Sequence, residues 1–361
     1  MDKKRLRGVV SRIWSQYSYI FVLLFIMAAY AVTIEANGNT FNFGHISAIL
    51  GSQKTCIIGT MALGMAFIII TGQIDLSVGS ALVLCTGVCI MVFNLTNSIL
   101  LMVISAILAG IICGFINGVM VGLCKMPPFV VTLGTMLIYR SLTLSVVRKI
   151  EPAVSGSSSS QFTLIKDKTG CYDALRMQFG NGKLSVGSLK FPYIFFVFLI
   201  VAILLILVSQ KTKYGKSVYA VGSNEKSARL SGINVTWIKI SVFILSGAMV
   251  GIASLLQACK IGNVTPASTG QSYEMYAIAA VVLAGVNMAG GRGNILGVIF
   301  GALSYATIDN IIVSIGLSVD IQNAFQGLVL ITVILIQTAG PAIRESLTRR
   351  HLRRRNSTLA P

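Results

Sequence analysis

Three acidic residues stand within or beside long apolar stretches of the sequence: Asp75, Glu274 and Asp309. A carboxylate at membrane depth is costly, so it commonly binds an ion or substrate, relays a proton or pairs with another polar group. The acidic site of a proton- or sodium-coupled carrier is one such arrangement. These three residues are therefore candidate pathway residues.

The stretch TGQIDLSVGS, residues 71–80, surrounds the first of these acids with glycines and small hydroxyl side chains. Gly72 permits a turn that other residues resist, and the Asp75 carboxylate can then accept backbone N–H bonds at the start of the next helix. We expect a helix break here, formed by Gly72, Gln73, Asp75 and Ser77. Direct contact of Asp75 with a substrate or an ion is the alternative.

The sequence offers little for metal, redox or nucleotide chemistry. Its seven cysteines form no CxxC pair and there are only two histidines, so a zinc or redox site is not expected. The segment YGKSV ends like a phosphate-binding loop, but that loop needs a glycine where Gln210 stands. We expect no cofactor on this chain and no ATP hydrolysis by it.

The elements that must position these residues are apolar helices. Of 361 residues, 55% are hydrophobic and 11% charged, and the mean hydropathy is +0.81. Soluble domains carry about 25% charged residues, so the composition predicts an all-α, polytopic integral membrane protein. Each span needs about 20 residues. Ten candidate spans in a compact bundle cover residues 17–34, 46–71, 77–93, 98–123, 129–147, 191–209, 240–257, 276–290, 295–316 and 322–340.

The net charge of +18 does not indicate nucleic-acid binding, because the basic residues flank apolar runs as the positive-inside rule describes. An even number of spans places both termini in the cytoplasm. The chain then divides into a basic tail (1–16), a transmembrane domain (17–340) and a second basic tail (341–361). Within the domain, loop 148–190 is expected outside and loop 211–239 inside. The outer loop departs from the rule, since its seven basic and three acidic residues give a net charge of +4.

Glycines recur every four residues in the stretch 110–122, at Gly247 and Gly251, and at Gly297 and Gly301. Four residues is about one helical turn, so such glycines form a flat stripe on one helix face. In a bilayer these stripes let helices approach closely, and we expect tight packing at all three places.

The loop 211–239 contains NEKSARLSGI, which begins with the helix-capping residue Asn224 and ends at a helix-terminating glycine, Gly232. This pattern predicts a short polar helix over about 224–231. The helix is too polar to insert into a bilayer, so we expect it on the inner face, against a partner or a lipid surface. A solvated connecting loop is the alternative.

Five segments occur in this order: TGQIDLSVGS, PPFVVTLGTM, GKSVYAVGSNEKSARLSGINV, YEMYAIAAVVLAG and AGGRGNILGVIFGAL. Together, across about residues 45–340, they resemble the membrane subunits of bacterial ribose/galactose-type ABC importers. That family also includes permeases for xylose, other simple sugars and autoinducer-2.

The resemblance implies a permease that forms the pathway for a simple sugar, a pentose or hexose, across the bacterial inner membrane. It also implies three partners: a cytoplasmic ABC ATPase subunit that binds ATP, an extracytoplasmic sugar-binding protein, and a second permease protomer, identical or different. The family's coupling helix, which docks into the ATPase, corresponds to these residues: Gly222, Asn224, Glu225, Ala228, Arg229, Gly232 and Ile233.

Two positions depart from the family pattern. Gln73 replaces a usual glycine, and Tyr276 stands where an aspartate is common. Neither an aromatic cage nor a cluster of acids is evident in the candidate spans, so we expect a pathway that holds the sugar weakly.

Two other functions fit part of the sequence. A branched-chain amino-acid-type ABC permease would use the same machinery with another substrate. An ion-coupled secondary carrier would need Asp75, Glu274 or Asp309 for transport and would have no ATPase partner.

Overall fold

The structure is a computed structural model that describes residues 3–155, 160–166 and 170–316, and beyond them only 321–322, 324–328, 331–332 and 335. These residues are mostly helical and contain almost no sheet, which confirms the predicted all-α class. Among them, seven helices are long and apolar enough to cross a membrane, and a bent helix pair makes an eighth candidate. The total of ten spans stays a prediction, because most of the tenth, 322–340, lies outside the described residues.

The helices and strands follow in this order: α1 (Lys3–Ala36), α2 (Phe43–Leu50), α3 (Gly59–Ile70), α4 (Val78–Thr96), α5 (Ile99–Gly122), α6 (Pro128–Lys149), α7 (Glu151–Ser155), β1 (Phe162–Thr163), α8 (Cys171–Asp173), β2 (Lys183–Val186), β3 (Leu189–Pro192), α9 (Tyr193–Lys211), α10 (Lys213–Ser223), α11 (Glu225–Leu230), α12 (Val235–Ile261), β4 (Asn263–Val264), α13 (Tyr273–Leu283) and α14 (Ile295–Ser314). Short π-helical stretches, Lys54–Ile58 and Ala174–Gly180, precede α3 and follow α8.

Helix α3 forms the centre of the bundle. Every one of its residues is buried, as a helix that is apolar on all sides requires. Helices α12, α13 and α14 pack against it, and α12 also packs against α4 and α5. By contrast, α5, α6 and α9 expose large apolar side chains, as the lipid- or protein-facing helices of a membrane protein do.

The glycine stripe on α5 lies against α12. A Cβ atom at Gly110 would overlap the carbonyl oxygen of Gly247, and one at Gly114 would overlap that of Phe243. In the same way, a Cβ atom at Gly301 of α14 would overlap the carbonyl oxygen of Ala280 in α13. The expectation of close helix packing at these glycines is confirmed.

The predicted continuous span 46–71 is wrong in detail, because this stretch bends by 43° between α2 and the segment Lys54–Ile70. Gly51 ends α2, and the hydroxyl of Ser52 accepts the N–H of Thr55 over 3.0 Å. A side chain that satisfies a backbone donor in this way competes with the regular helix bonds.

The predicted span 276–290 is also wrong in its extent. Helix α13 has 11 residues and ends at Leu283, which is too short to cross a bilayer. Gly285 follows with φ 79°, a left-handed conformation that ends helices. The chain then continues without regular structure to Asn294.

The two long loops contain more structure than predicted. In 148–190, strands β2 and β3 form an antiparallel hairpin, and β1 pairs with β4 through Phe162 and Val264. In 211–239, one helix was predicted and two are present, α10 and α11, while the residues from Val235 onward already belong to α12. The C-terminal tail, 341–361, lies outside the described residues.

Candidate functional site

Three segments that are distant in sequence meet at one end of the bundle. They are the break 71–77, the end of α10 and the loop 285–294, and we call this contact the motif junction. The N–H of Gly291 donates to the carbonyl oxygen of Ile70 over 2.8 Å. A Cβ atom at Gly222 would overlap the same carbonyl oxygen. The motif junction therefore needs glycine at position 222, since only hydrogen fits there.

The break itself combines a left-handed glycine with a short polar network. Gly72 has φ 76°, as the predicted turn requires. One oxygen of Asp75 accepts both the N–H and the hydroxyl of Ser77, over 2.8 and 2.7 Å. The amide of Asn117 in α5 donates to the same hydroxyl over 2.8 Å. As predicted, Asp75 accepts a backbone N–H at the start of the next helix, although this N–H belongs to the N-cap residue of α4, Ser77, rather than to the first helical turn.

Gln73 lies beside the break and is 5% exposed. Its side-chain oxygen has no hydrogen-bond partner among the described residues. It lines a cavity of about 390 Å³ that extends toward α11 and is also lined by Lys125, Glu225, Arg229 and Lys239. The unusual residue of the motif therefore lies beside a polar cavity that is shared with the coupling helix.

The predicted coupling residues form one small unit around α11. The side chain of Asn224 caps the helix by accepting the N–H of Ser227 over 2.9 Å. Glu225 bridges two cations, Arg229 at 3.3 Å and Lys239 of α12 at 2.8 Å. The hydrogen bond from the Lys239 ammonium is the main reason that the pKa of Glu225 lies below its ordinary value. The bridge to Lys239 joins the short helix to a long membrane helix.

The far end of α11 is closed by a glycine turn. Gly232 has φ 81°, and the N–H of Ile233 donates to the carbonyl oxygen of Ala228 over 3.1 Å, which is a common helix-ending arrangement. Ala228 is buried, whereas Leu230, two residues further on, is 90% exposed. Sequence reasoning missed Leu230, although an apolar residue in so polar a loop was a usable signal.

The other two predicted acids lie away from the motif junction. Glu274 is in the first turn of α13, where its carboxylate closely approaches Gly79 of α4. Asp309 of α14 lies 3.7 Å from the ammonium of Lys54. Glu274 thus lies close to the beginning of α4, which Asp75 precedes, whereas Asp309 pairs with a residue outside the break.

Asp309 belongs to a cluster that the sequence did not predict. We call it the tyrosine cluster: Lys54, Tyr276, Tyr305, Asp309 and Gln326. The Lys54 ammonium lies 3.9 Å from the ring centre of Tyr276 and 5.9 Å from that of Tyr305, and Gln326 donates to Asp309 over 2.7 Å. The sequence did not predict this grouping of two tyrosine rings with a single ion pair, because its residues are far apart in sequence.

Apolar spans that enclose charged and hydrogen-bonding groups define a class, the polytopic membrane transport proteins, in which intramembrane polar residues mark a pathway. A family model described as "Branched-chain amino acid transport system / permease component" matches residues 46–334. The ribose import permease protein of Escherichia coli strain K12 is 32% identical over 330 residues, which cover 91% of this chain and 96% of that protein. The chain therefore belongs to this family of ABC importer permeases.

Other relatives are named for different substrates. The fructose import permease protein of Rhizobium meliloti is 31% identical, over 84% of this chain and 80% of that protein. The autoinducer 2 import system permease protein of Yersinia enterocolitica is 34% identical, over 87% of this chain and 80% of that protein. No solved structure matches the chain.

Proposed function

We propose that this chain forms the translocation pathway for a simple sugar, a pentose or hexose, in an ATP-driven importer of the bacterial inner membrane. An extracytoplasmic binding protein delivers the sugar, and separate cytoplasmic ATPase subunits bind and hydrolyse ATP. The chain itself is a permease subunit and holds no cofactor. Its sugar-importing relatives and the family match support this proposal.

The observation that carries the proposal is the geometry of α11. This helix is capped at both ends, is tied to α12 by the bridge from Glu225 to Lys239, and exposes Leu230 almost completely. A rigid polar helix with one protruding apolar side chain suits insertion into a protein groove, because the apolar tip supplies an anchor while the helix body stays soluble.

The orientation follows from charge. Loop 211–239 contains Lys211, Lys213, Lys216, Lys226, Arg229 and Lys239 against the single acid Glu225. The positive-inside rule places such a loop in the cytoplasm. We propose that the motif junction and both termini are cytoplasmic, and that loop 148–190 with the β2–β3 hairpin faces the binding protein.

The pathway also requires a second permease protomer, identical or different. In this arrangement ATP hydrolysis on the partner ATPase moves α11, and the bridge to α12 transmits that movement to α3, α4 and α5. Glu274 and Asp309 stay proposed pathway residues.

The test is co-expression with the ATPase subunit from the same gene neighbourhood, followed by capture of the complex on a tag carried by this chain. Arg229→Glu and Leu230→Asp each remove a docking contact without altering a membrane helix, and we expect ATPase recovery to fall at least about tenfold, as for loss of interface anchors. Lys166→Ala, on the opposite loop, is the matched control. Undiminished recovery with both α11 variants contradicts the proposal.

The substrate is tested separately, by ATP-dependent uptake of labelled sugars into vesicles that contain the complete importer. Uptake of leucine instead would favour the branched-chain amino-acid type that the family description names. Uptake that needs no ATPase and follows a proton or sodium gradient would favour the secondary carrier.

A further inference from the structure

We propose that the tyrosine cluster is a binding site for an uncharged, polyhydroxylated molecule, a sugar, within the spans. The inference rests on the proposed function and deepens it, because it assigns the place where one protomer holds the sugar. The groups that carry it are Tyr276, Tyr305 and Gln326, which line a cavity of about 60 Å³, and Asp309, which accepts a hydrogen bond from Gln326.

The depth of the cluster suits a pathway site. Asp309 lies 14 residues beyond the start of α14, which corresponds to about 21 Å along that helix, and Lys54 lies 16 residues, or about 24 Å, before Ile70. Both Ile70 and the start of α14 adjoin the motif junction. The cluster is therefore in the half of the bundle remote from the coupling helix, where a sugar would arrive from the binding protein.

Two buried polar atoms of the cluster lack partners. Tyr305 is 2% exposed and Gln326 is 6% exposed, both line the cavity, and neither the Tyr305 hydroxyl nor the Gln326 side-chain oxygen has a hydrogen-bond partner within the described part of the chain. An unpaired polar atom in such surroundings has lost its hydrogen bonds to water without replacement, which destabilises the folded state. A ligand that hydrogen-bonds both atoms would remove that cost.

The orientation of Gln326 follows from chemistry. An ionised carboxylate only accepts hydrogen bonds, so the amide nitrogen of Gln326 must face Asp309, as its 2.7 Å contact requires. The amide oxygen is then free to accept from a ligand hydroxyl. The Tyr305 hydroxyl, which both donates and accepts, offers the complementary group.

The cluster favours a neutral ligand over an ion or an amino acid. Lys54 and Asp309 neutralise each other, and the two unpartnered groups are uncharged. The described residues contain no group of three potential metal ligands. The rings of Tyr276 and Tyr305, whose centres are 5.4 Å apart, add aromatic wall that suits the apolar C–H face of a sugar.

The test is protection of an introduced cysteine in the permease with its ATPase subunits, reconstituted in lipid nanodiscs without the binding protein, which would otherwise bind the sugar and cover the β2–β3 hairpin. Met275 lines the cavity and is 44% exposed, so Met275→Cys is reacted with a water-soluble thiol reagent, after Cys124 and Cys171 have been replaced by serine. Leu184→Cys, on the β2–β3 hairpin and 45% exposed, is the matched control. The probes are D-ribose, D-xylose, D-fructose and L-leucine, each up to roughly 100 mM to cover weak affinities.

We expect at least one sugar to slow labelling of Met275→Cys and not of Leu184→Cys. Adding Tyr305→Phe, which removes one hydroxyl and keeps the ring, should raise the half-protecting sugar concentration about 2- to 10-fold, the effect of one hydrogen bond. Gln326→Leu should raise it similarly. Tyr139→Phe, whose hydroxyl donates to the carbonyl oxygen of Cys113 elsewhere in the bundle, should leave it unchanged.

The inference is overturned if no sugar protects Met275→Cys, or if leucine protects it more strongly than any of the sugars. It is also overturned if Tyr305→Phe and Gln326→Leu leave the protection unchanged. The outcome is distinguishable from failure of the proposed function. ATP-dependent sugar uptake without protection refutes only the site, whereas protection without ATPase capture refutes only the importer assignment.

Discussion

The N–H of Gly291 donates to the carbonyl oxygen of Ile70 over 2.8 Å, and this bond joins the end of α3, directly before the break 71–77, to the loop that follows α13. Gly222, at the end of α10, packs against the same carbonyl oxygen. The segment before the coupling helix thus lies directly against α3, the most buried helix of the bundle. A displacement of α11 would therefore be transmitted to α3 through these backbone contacts.

The first prediction concerns that contact. Gly222→Ala inserts a methyl group where the Ile70 carbonyl lies, so the motif junction must open, and we expect a loss of about 1–3 kcal/mol of stability together with a large loss of ATP-driven transport. Thermal unfolding in detergent and vesicle uptake measure the two effects. Gly134→Ala is the control, because a Cβ atom there meets nothing within 4 Å; equal behaviour of the two variants would contradict the role of the motif junction.

The second prediction concerns the interface between α5 and α12. Gly114→Val would drive a branched side chain into the backbone at Phe243 and Gly247, and overpacking of this kind costs about 1–3 kcal/mol or more. We expect a lower unfolding temperature and poor recovery of folded protein, measured by fluorescence-detected size exclusion during heating. A variant as stable as the parent would show that α5 and α12 do not pack through this stripe.

The third prediction separates the two roles of Asp75. Asp75→Asn keeps an oxygen that can accept both bonds from Ser77, whereas Asp75→Ala leaves the buried Ser77 donors unsatisfied. We expect the asparagine variant to lie within about 1 kcal/mol of the parent and the alanine variant to lose about 1–3 kcal/mol, with transport following stability. If the asparagine variant assembles normally and transports nothing, the carboxylate charge acts directly in transport.

The fourth prediction concerns the ion pair between Lys54 and Asp309. Lys54→Met leaves a largely buried carboxylate without its cation, and we expect it to cost about 2 kcal/mol. Asp309→Asn, which can still accept from Gln326, should restore part of that loss when the two changes are combined. Thermal stabilities of both single variants and the double variant complete the cycle, and strictly additive effects would show that the pair is not coupled.

The fifth prediction is a pH dependence at the coupling helix. The pKa of Glu225 is lowered, chiefly by its hydrogen bond from Lys239, so its bridge is complete above the ordinary carboxyl pKa and is lost only as pH falls through the lower folded-state value. ATPase recovery should therefore be constant between about pH 6 and 8 and should fall only at more acidic pH. The Glu225→Gln variant should bind the ATPase subunit more weakly than the parent at every pH between about 6 and 8. If ATPase recovery with the parent protein changes between pH 6 and 8, this bridge does not control docking.

Much of the fold could be predicted from the sequence, because its signals are local. Apolar runs of about 20 residues indicate spans, a four-residue glycine repeat indicates close packing, and Asn224 with Gly232 indicates a short capped helix. The predictions that were wrong concern length and continuity. Hydropathy does not distinguish α13, which ends before Gly285, from a full span. It also does not detect the bend after α2, where the Ser52 hydroxyl accepts a backbone N–H.

What the sequence determined by itself is therefore the class, the family motifs and the residues at which helices must break. Which of those residues meet was decided by the tertiary structure alone. Lys54, Tyr276 and Asp309 have no shared motif, yet packing of the π-helical stretch Lys54–Ile58 against α13 and α14 brings their side chains together. Hydropathy and spacing are properties of neighbouring residues, whereas the tyrosine cluster exists only because three helices hold distant residues at one depth of the bundle.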